Sequence, residues 1–386
     1  MQIKQHPPVV HFPLELKVNN FVGEVYGYYH PDSNEFNITS WEKSINNEQV
    51  NDSIKMIGNI VLKPDNFKDS QEFLSKFSGL VGVRTDQGID FMVNKVSCIS
   101  KPYHLTQNIF SRNTGILETD IMIDKCAIIS GCGSVGSLVA LELTRAGVGK
   151  FVLIDNDTIA YHNLCRHQCG IQDVGKFKVN AVKERILQIN PSAEVTTCIA
   201  FIEEIDKDIF DQFCKQGAII IGCADNREGD IYASKISCIY NIPFVSIGFW
   251  TRAFAGEIFY CLPNEMPCYA CAFGNLTNDI SHRVSQNRHI YVGEEDKVPD
   301  NFEPGISVDI NYVTSIGIKL IIDILNKDTS NYIPKLLNHL SQFTLVCNTC
   351  DSRIGGEQAE IFSHPLQVTT SINISYSESC PPCKFI

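Results

Sequence analysis

The chain has no run of about 18 uninterrupted apolar residues, the length a membrane-spanning helix needs, so no membrane association is expected. Its opening, MQIKQHPPVV, holds no apolar core of the kind a secretory leader carries. Basic residues are outnumbered: 32 Lys and Arg against 44 Asp and Glu give a formal net charge of −12. That balance argues against a nucleic-acid partner held by charge alone. There is also no internal repeat and no low-complexity tract. What remains is ordinary globular composition, 44% apolar and 20% charged over 386 residues, enough for two or three domains and a sizeable core. Cysteine is the one abundance. The 16 cysteines mostly stand singly in apolar segments, which suggests reduced, buried thiols in a cytoplasmic protein, with a few paired for a metal.

The stretch that organises the chain is 126–157, CAIISGCGSVGSLVALELTRAGVGKFVLIDND. Cys126–Ser130 is a short apolar run, and Gly131, Gly133 and Gly136 follow at GxGxxG spacing. Residues 135–146 read as a helix, with Val135, Leu138, Val139 and Leu143 on one face and Gly147 and Gly149 ending it. Residues 151–154 form a second apolar run that stops at Asp155. Strand, glycine turn, helix and strand make a nucleotide-binding unit, in which glycines let backbone approach phosphate and the helix N-terminus offers free N–H groups. Asp155 falls 19 residues after Gly136, at the tip of the second strand, where an acid can bind ribose hydroxyls.

Residues 1–105 read as a small α+β accessory module. Strands are expected at 9–16, 21–29, 55–62 and 89–98, and a helix at 66–77. A polar, helical connector over 106–125 contains Phe110-Ser111-Arg112. Beyond Asp155, helices are expected at 174–189 and 232–240, alternating with strands at 195–199, 218–221 and 243–247. Such alternation predicts an α/β fold with a doubly wound, mainly parallel sheet. Ligands in these sheets sit at the carboxyl ends of strands, so Asp155 and Asp225 should face one crevice. Further on, 257–262 reads as a strand, 274–305 as a crossing loop and 308–325 as a long apolar helix. A strand end at 345–351 and two terminal strands complete the second domain, 106–386.

The charged residues around the glycine loop are Asp155, Asp157, Arg166, Lys178 and Asp225. A dehydrogenase needs one acid for the ribose and little else charged beside its pyrophosphate. Two cations and a further strand-end acid suit a triphosphate that reacts. Asp225 can hold Mg²⁺, and Arg166 and Lys178 can neutralise charge developing on the phosphates. Two CxxC pairs, Cys268/Cys271 and Cys380/Cys383, suit a closed tetrahedral zinc site. A third pair, Cys347/Cys350, lies at a strand end and reads as packing.

Taken in order, Gly131–Gly136, Asp155-Asn156-Asp157, Asn163-Leu164-Cys165-Arg166, Asp173-Val174-Gly175 with Lys178, Asn190-Pro191 and Cys223-Ala224-Asp225-Asn226 resemble the adenylation domain of the ubiquitin-activating-enzyme-like superfamily (ThiF–MoeB–HesA adenylyltransferases). That superfamily includes the enzymes that adenylate the sulfur carriers of thiamin and molybdopterin synthesis. The resemblance covers about residues 106–383, a zinc-stapled C-terminal region included. It implies an enzyme that joins the C-terminal carboxylate of a ubiquitin-like protein, usually ending in Gly-Gly, to AMP, releasing pyrophosphate from ATP. It assigns Asp155 to the ribose and Asp157 to the neighbourhood of the nucleotide and its metal. Asn163, Arg166 and Lys178 would contact phosphates, Asp225 would bind Mg²⁺, and Asn226 would join the nucleotide site. Arg112 would reach across a dimer interface into the partner's site, which implies a homodimer.

Departures from the superfamily are informative. Position 167 is His where Gln is common, and Cys132 stands inside the glycine loop. Residues 272–346 contain no cysteine, although the usual thioester cysteine falls between the first CxxC and the long helix. Either the chain only adenylates, or another thiol such as Cys347 or Cys350 serves. The extra N-terminal module favours a conjugation-type system, with a conjugating enzyme as a further partner, over a sulfur-carrier enzyme of thiamin or molybdopterin-type synthesis. Two other classes compete: a scaffold subunit whose nucleotide fold has decayed, and a nicotinamide oxidoreductase. Retention of Arg166, Lys178 and Asp225 argues against decay.

Overall fold

The apolar run Cys126–Ser130 is a strand buried along its whole length. It lies in the larger of two units, Met1–Arg112 and Asn113–Ile386. The structure is a computed structural model, and it describes residues 7–18, 20–41, 55–62, 79–86, 88–104, 109–250, 253–274, 305–348, 369–376 and 380.

The first unit is built on one sheet. Its described elements are β1 (Val9–Pro13), α1 (Leu14–Val18), β2 (Gly23–His30), β3 (Glu35–Trp41), β4 (Lys55–Leu62), β5 (Leu80–Thr85), β6 (Gly88–Val93), β7 (Val96–Ser97) and β8 (Ile99–Tyr103). The order across the sheet is β7-β6-β5-β4-β2-β3-β1-β8. Val10, Phe12, Val25, Ile38, Ile60 and Phe91 form its core with Leu16 of α1. Two expected strands are corrected. The run 9–16 stops at Pro13, and α1 follows. The buried Arg84 guanidinium donates to the carbonyl of Leu16, an acceptor in the last turn of that helix, and to that of Phe21 beyond it. The run 89–98 is broken at Asn94 and Lys95, whose φ angles of 49° and 70° make the tight reversal between β6 and β7. The helix expected at 66–77 lies outside the described residues.

The second unit contains α2 (Thr119–Met122), β9 (Cys126–Ser130), α3 (Ser134–Arg145), β10 (Lys150–Ile154), α4 (Lys178–Ile189), β11 (Glu194–Cys198), α5 (Lys207–Phe213), β12 (Ala218–Gly222), α6 (Arg227–Tyr240), β13 (Phe244–Phe249), β14 (Ala255–Cys261), α7 (Tyr269–Phe273), α8 (Ser307–Leu325), β15 (Phe343–Cys347) and β16 (Thr369–Ile372). The sheet runs β11-β10-β9-β12-β13-β14-β15-β16. The first five strands are parallel, and the last three add on antiparallel. Period-two alternation sends Ala127, Ile129, Phe151, Leu153, Ile219 and Ile221 to one face, against α3, α4 and α8. Ile128, Val152, Ile154, Ile220 and Phe244 go to the other, against α6 and α7. Both faces are covered over β9, β10, β12 and β13, so these four read as nearly unbroken apolar runs, whereas β11 at the edge, EVTTC, is only partly buried.

Three boundaries differ from expectation. Helix α4 starts at Lys178 rather than near 174, because Gly175 takes a φ of 88° and Thr158 bridges Phe177. Helix α6 starts five residues early, at Arg227, where the Asn226 side chain accepts the Gly229 N–H at 2.8 Å and caps it. From residue 110 the connector is largely turns, with α2 as its one helix between there and residue 125. Of the expected crossing loop, 275–304 lie outside the described residues. Among the described residues, no helix is long and apolar enough to cross a membrane.

Candidate functional site

Strand order reverses between β9 and β12, and a cleft of about 900 Å³ opens at the carboxyl ends of these two strands. Such a reversal leaves a crevice because the chain departs to opposite sides from adjacent strands. Gly131, Gly133, Asp155, Asp157, Asn163, Arg166, Lys178, Asp225 and Asn226 all line it.

Each glycine of the loop has a different task. Gly131 takes a φ of 92°, and a Cβ there would lie 2.8 Å from the Ala224 nitrogen. Gly136 does not line the cleft; a Cβ on it would lie 1.8 Å from the Gly131 carbonyl oxygen, so it lets α3 pack on the loop. At Gly133 a Cβ would meet nothing within 4 Å. Gly133 is also the N-cap of α3, and no side chain caps that helix. Its first N–H groups and positive dipole end are thereby left for an anion.

Asp155 is tied to this loop. Its carboxylate accepts the Cys132 N–H at 2.7 Å and the Asp157 N–H at 2.8 Å. Burial pushes its pKa above the ordinary carboxylate value, against the opposing pull of Lys178 and the two N–H groups. Across the loop, the buried His167 ring hydrogen-bonds the Cys132 carbonyl through Nε2 at 2.8 Å. Its Nδ1 accepts the Cys169 N–H at 3.1 Å, which assigns the proton to Nε2. Burial lowers the His167 pKa, so the ring is neutral. The Cys132 backbone is thus held at two points, its N–H by Asp155 and its carbonyl by His167.

Lys178 Nζ lies 2.7 Å from Asp157 Oδ2, with the lysine side chain 13% exposed and the aspartate 66%. The Lys178 N–H also donates to the Asp157 carbonyl at 2.9 Å, fixing the start of α4 to the tip of β10. Asn163 Oδ1 accepts the Ala160 N–H at 2.9 Å, and the Asn163 carbonyl takes the Arg166 N–H at 3.0 Å. This local turn carries Arg166 into the cleft. Asp225 is exposed at the end of β12. Arg112 is exposed at the end of the first unit.

Residues outside the sequence motifs also line the cleft, among them Phe201, Glu203, Glu228 and Trp250. Trp250 directly follows β13, and the strand-end rule that picked out Asp155 and Asp225 applies to it equally. Trp250 donates its Nε1–H to Glu257 at 3.1 Å, and Glu257 makes a two-point ion pair with Arg227 at 2.8 and 2.9 Å. An acid within the apolar strand AGEIFYC is a sequence signal for such a partner.

The Cys268, Cys271 and Cys380 sulfurs come together, 3.8 Å between the first two and 3.4 Å between Cys268 and Cys380. All three lie within 4.8 Å of one another. A tetrahedral zinc with about 2.3 Å bonds to sulfur needs thiolates about 3.8 Å apart, so the donor set and spacing fit. Cys383 and Cys350 lie outside the described residues. Cys347 is buried within β15, and burial pushes its thiol up, as packing predicts and as an accessible nucleophile would not.

A parallel sheet that reverses order beside a glycine turn, with acids at two strand ends, defines a Rossmann-like nucleotide-binding fold. Residues 119–354 match the ThiF family, more than half of the chain, and the chain belongs to that family. It is 29% identical over 156 residues to the ubiquitin-like modifier-activating enzyme 5 of Caenorhabditis briggsae, which covers 38% of this chain and 36% of that protein. To the enzyme of the same name from Drosophila simulans it is 31% identical over 159 residues, 39% of each chain. The match therefore spans less than half the length of these relatives. A crystal structure of E. coli MccB with ATP is similar in fold, with a TM-score of 0.50 and 21% identity over 72% of this chain and 73% of that one.

Proposed function

We propose that the protein is an ATP-dependent adenylyltransferase that activates the C-terminal carboxylate of a ubiquitin-like protein ending in Gly-Gly. The observation that carries this reading is the convergence of an uncapped helix N-terminus, two strand-end acids and the Arg166 and Lys178 cations on one cleft. The similarity to ubiquitin-like modifier-activating enzymes supports the choice of substrate class.

ATP lies with its phosphates against Gly133 and the start of α3. Asp155 receives the ribose; Asn163, Arg166 and Lys178 face the phosphates, and Asp225 and Asn226 flank them from β12. The hard oxygen donors at Asp225 and Asp157 would hold Mg²⁺, which would supply neutralisation of phosphate charge. A carboxylate oxygen of the carrier attacks the α-phosphorus. The bond from that phosphorus to the bridging oxygen breaks, and pyrophosphate leaves with the electron pair. Arg166 and Lys178 stabilise the negative charge that grows on the transferring and departing groups. Cys268, Cys271 and Cys380, with Cys383, would hold a structural zinc away from this chemistry. Arg112 is assigned to the cleft of a second copy in a homodimer.

The test is exchange of labelled pyrophosphate into ATP by the pure protein, with and without candidate Gly-Gly-ending carriers. Carrier-dependent exchange is expected. Exchange with sulfur carriers and none with ubiquitin-like modifiers would move the protein to thiamin or molybdopterin-type synthesis. Non-reducing gels of the same mixtures should show no thiol-sensitive adduct; such an adduct would overturn adenylation alone and point to a conjugating enzyme downstream.

A further inference from the structure

We propose that Glu257 and Arg227 are a buried positioning pair that sets the β12–β13 wall of the cleft without touching substrate. The inference rests on the reading of Asp225 and Asn226 as part of the metal–nucleotide site. Neither member of the pair lines the cleft. The Arg227 side chain is 7% exposed and that of Glu257 2%. Arg227 is the first residue of α6, directly after Asp225 and Asn226. Its guanidinium donates to both Glu257 oxygens, donates again to the Tyr269 hydroxyl at 2.8 Å, and stacks 4.1 Å over the Phe273 ring. On the other side, Glu257 Oε2 accepts the Trp250 Nε1–H, and Trp250 is itself a wall of the cleft.

One carboxylate thus fixes two separate parts of the site, the turn that presents Asp225 and the Trp250 indole at the end of β13. Simple adhesion does not require this. Taking two charges out of water is costly, and apolar side chains of similar volume hold a strand and a helix together as well or better. What the ion pair adds is direction. A two-point guanidinium–carboxylate fork admits one relative orientation, and apolar contact admits many. Tyr269 follows Cys268 directly, so the fork also registers the cysteine loop against the start of α6.

The chain has two tryptophans, Trp41 and Trp250. In a Trp41→Phe background, the full-length protein reports its cleft through Trp250 emission. Titration with Mg·ATP measures binding, and carrier-dependent pyrophosphate exchange measures kcat and KM. Replacing the pair together, Arg227→Met with Glu257→Leu, should leave the melting temperature near that of the parent. The half-saturating Mg·ATP should nonetheless rise at least tenfold in both assays, with a smaller emission change on binding. Arg227→Lys keeps the buried cation but loses the fork, and it should shift half-saturation in the same direction by at least threefold. It decides the matter if the double variant does not fold. A folded variant of either kind with parental half-saturation overturns the proposal. If the parent protein itself shows neither an Mg·ATP response nor exchange, the nucleotide reading fails instead.

Discussion

Replacing Asp225 with alanine separates its chemistry from its architecture. The side chain is exposed at the end of β12, so its loss should change stability by no more than about 0.5 kcal/mol. Its neighbour behaves oppositely. Asn226→Ala removes the 2.8 Å cap on the Gly229 N–H, at about 1 kcal/mol. In a unit of this size, that is a fall of roughly 2–4 °C in melting temperature. In the reaction the order reverses. A preorganised group aimed at developing charge is worth about 10²–10³ in rate, some 2.7–4 kcal/mol. Asp225→Ala should therefore melt with the wild type and lose at least about 100-fold in pyrophosphate exchange. Thermal melts and exchange assays on the same preparations measure both. A folded Asp225→Ala protein within threefold of wild-type exchange would remove Asp225 from the mechanism, and a larger melting loss than Asn226→Ala would make it structural.

The glycine loop should divide in the same way: Gly136→Ala drives a Cβ to 1.8 Å from the Gly131 carbonyl and should unfold or strongly destabilise the protein, whereas Gly133→Ala should melt normally and weaken ATP binding, as calorimetry would show. The depressed pKa of His167 has a signed consequence. Its folded form resists a proton that the unfolded chain accepts near pH 6.5, so stability should fall as pH drops below that value. His167→Gln should flatten this acid-side loss in melts between about pH 5 and 7, and an unchanged slope would refute the neutral assignment. Cys271→Ser should lower metal content from near one zinc per chain; finding no zinc in the dialysed wild type would defeat the site.

The strand–turn–helix–strand centre was legible almost to the residue, because glycines punctuate it and buried parallel strands are continuous apolar runs. The lining of the cleft by Asp155, Arg166, Lys178 and Asp225 followed from their places after strands and in the loop beyond β10. What stayed hidden depends on neighbours. Whether β14 runs parallel or antiparallel to β13, and β15 to β14, is decided by pairing, and the residues of each strand are equally apolar either way. The hairpin between β6 and β7 was hidden because Asn94 and Lys95 lack the glycine that usually marks such a reversal. Arg227 looks like a solvated charge in the polar run Arg-Glu-Gly-Asp until Glu257 and Tyr269 are brought against it from 30 and 42 residues away. The role of His167 likewise needs Cys132, 35 residues distant, to be visible.

The meeting of Cys268 with Cys380 spans 112 residues. On a ribosome adding about 5–20 residues per second, the first cysteine pair emerges roughly 6–22 seconds before its third companion exists. For that interval Cys268 and Cys271 are two loose thiols on a growing chain, exposed to oxidants and to competing metals. The third thiol of the cluster is therefore made more than a hundred residues after the pair it joins, and a translation product that stalled before Cys380 would leave the group incomplete.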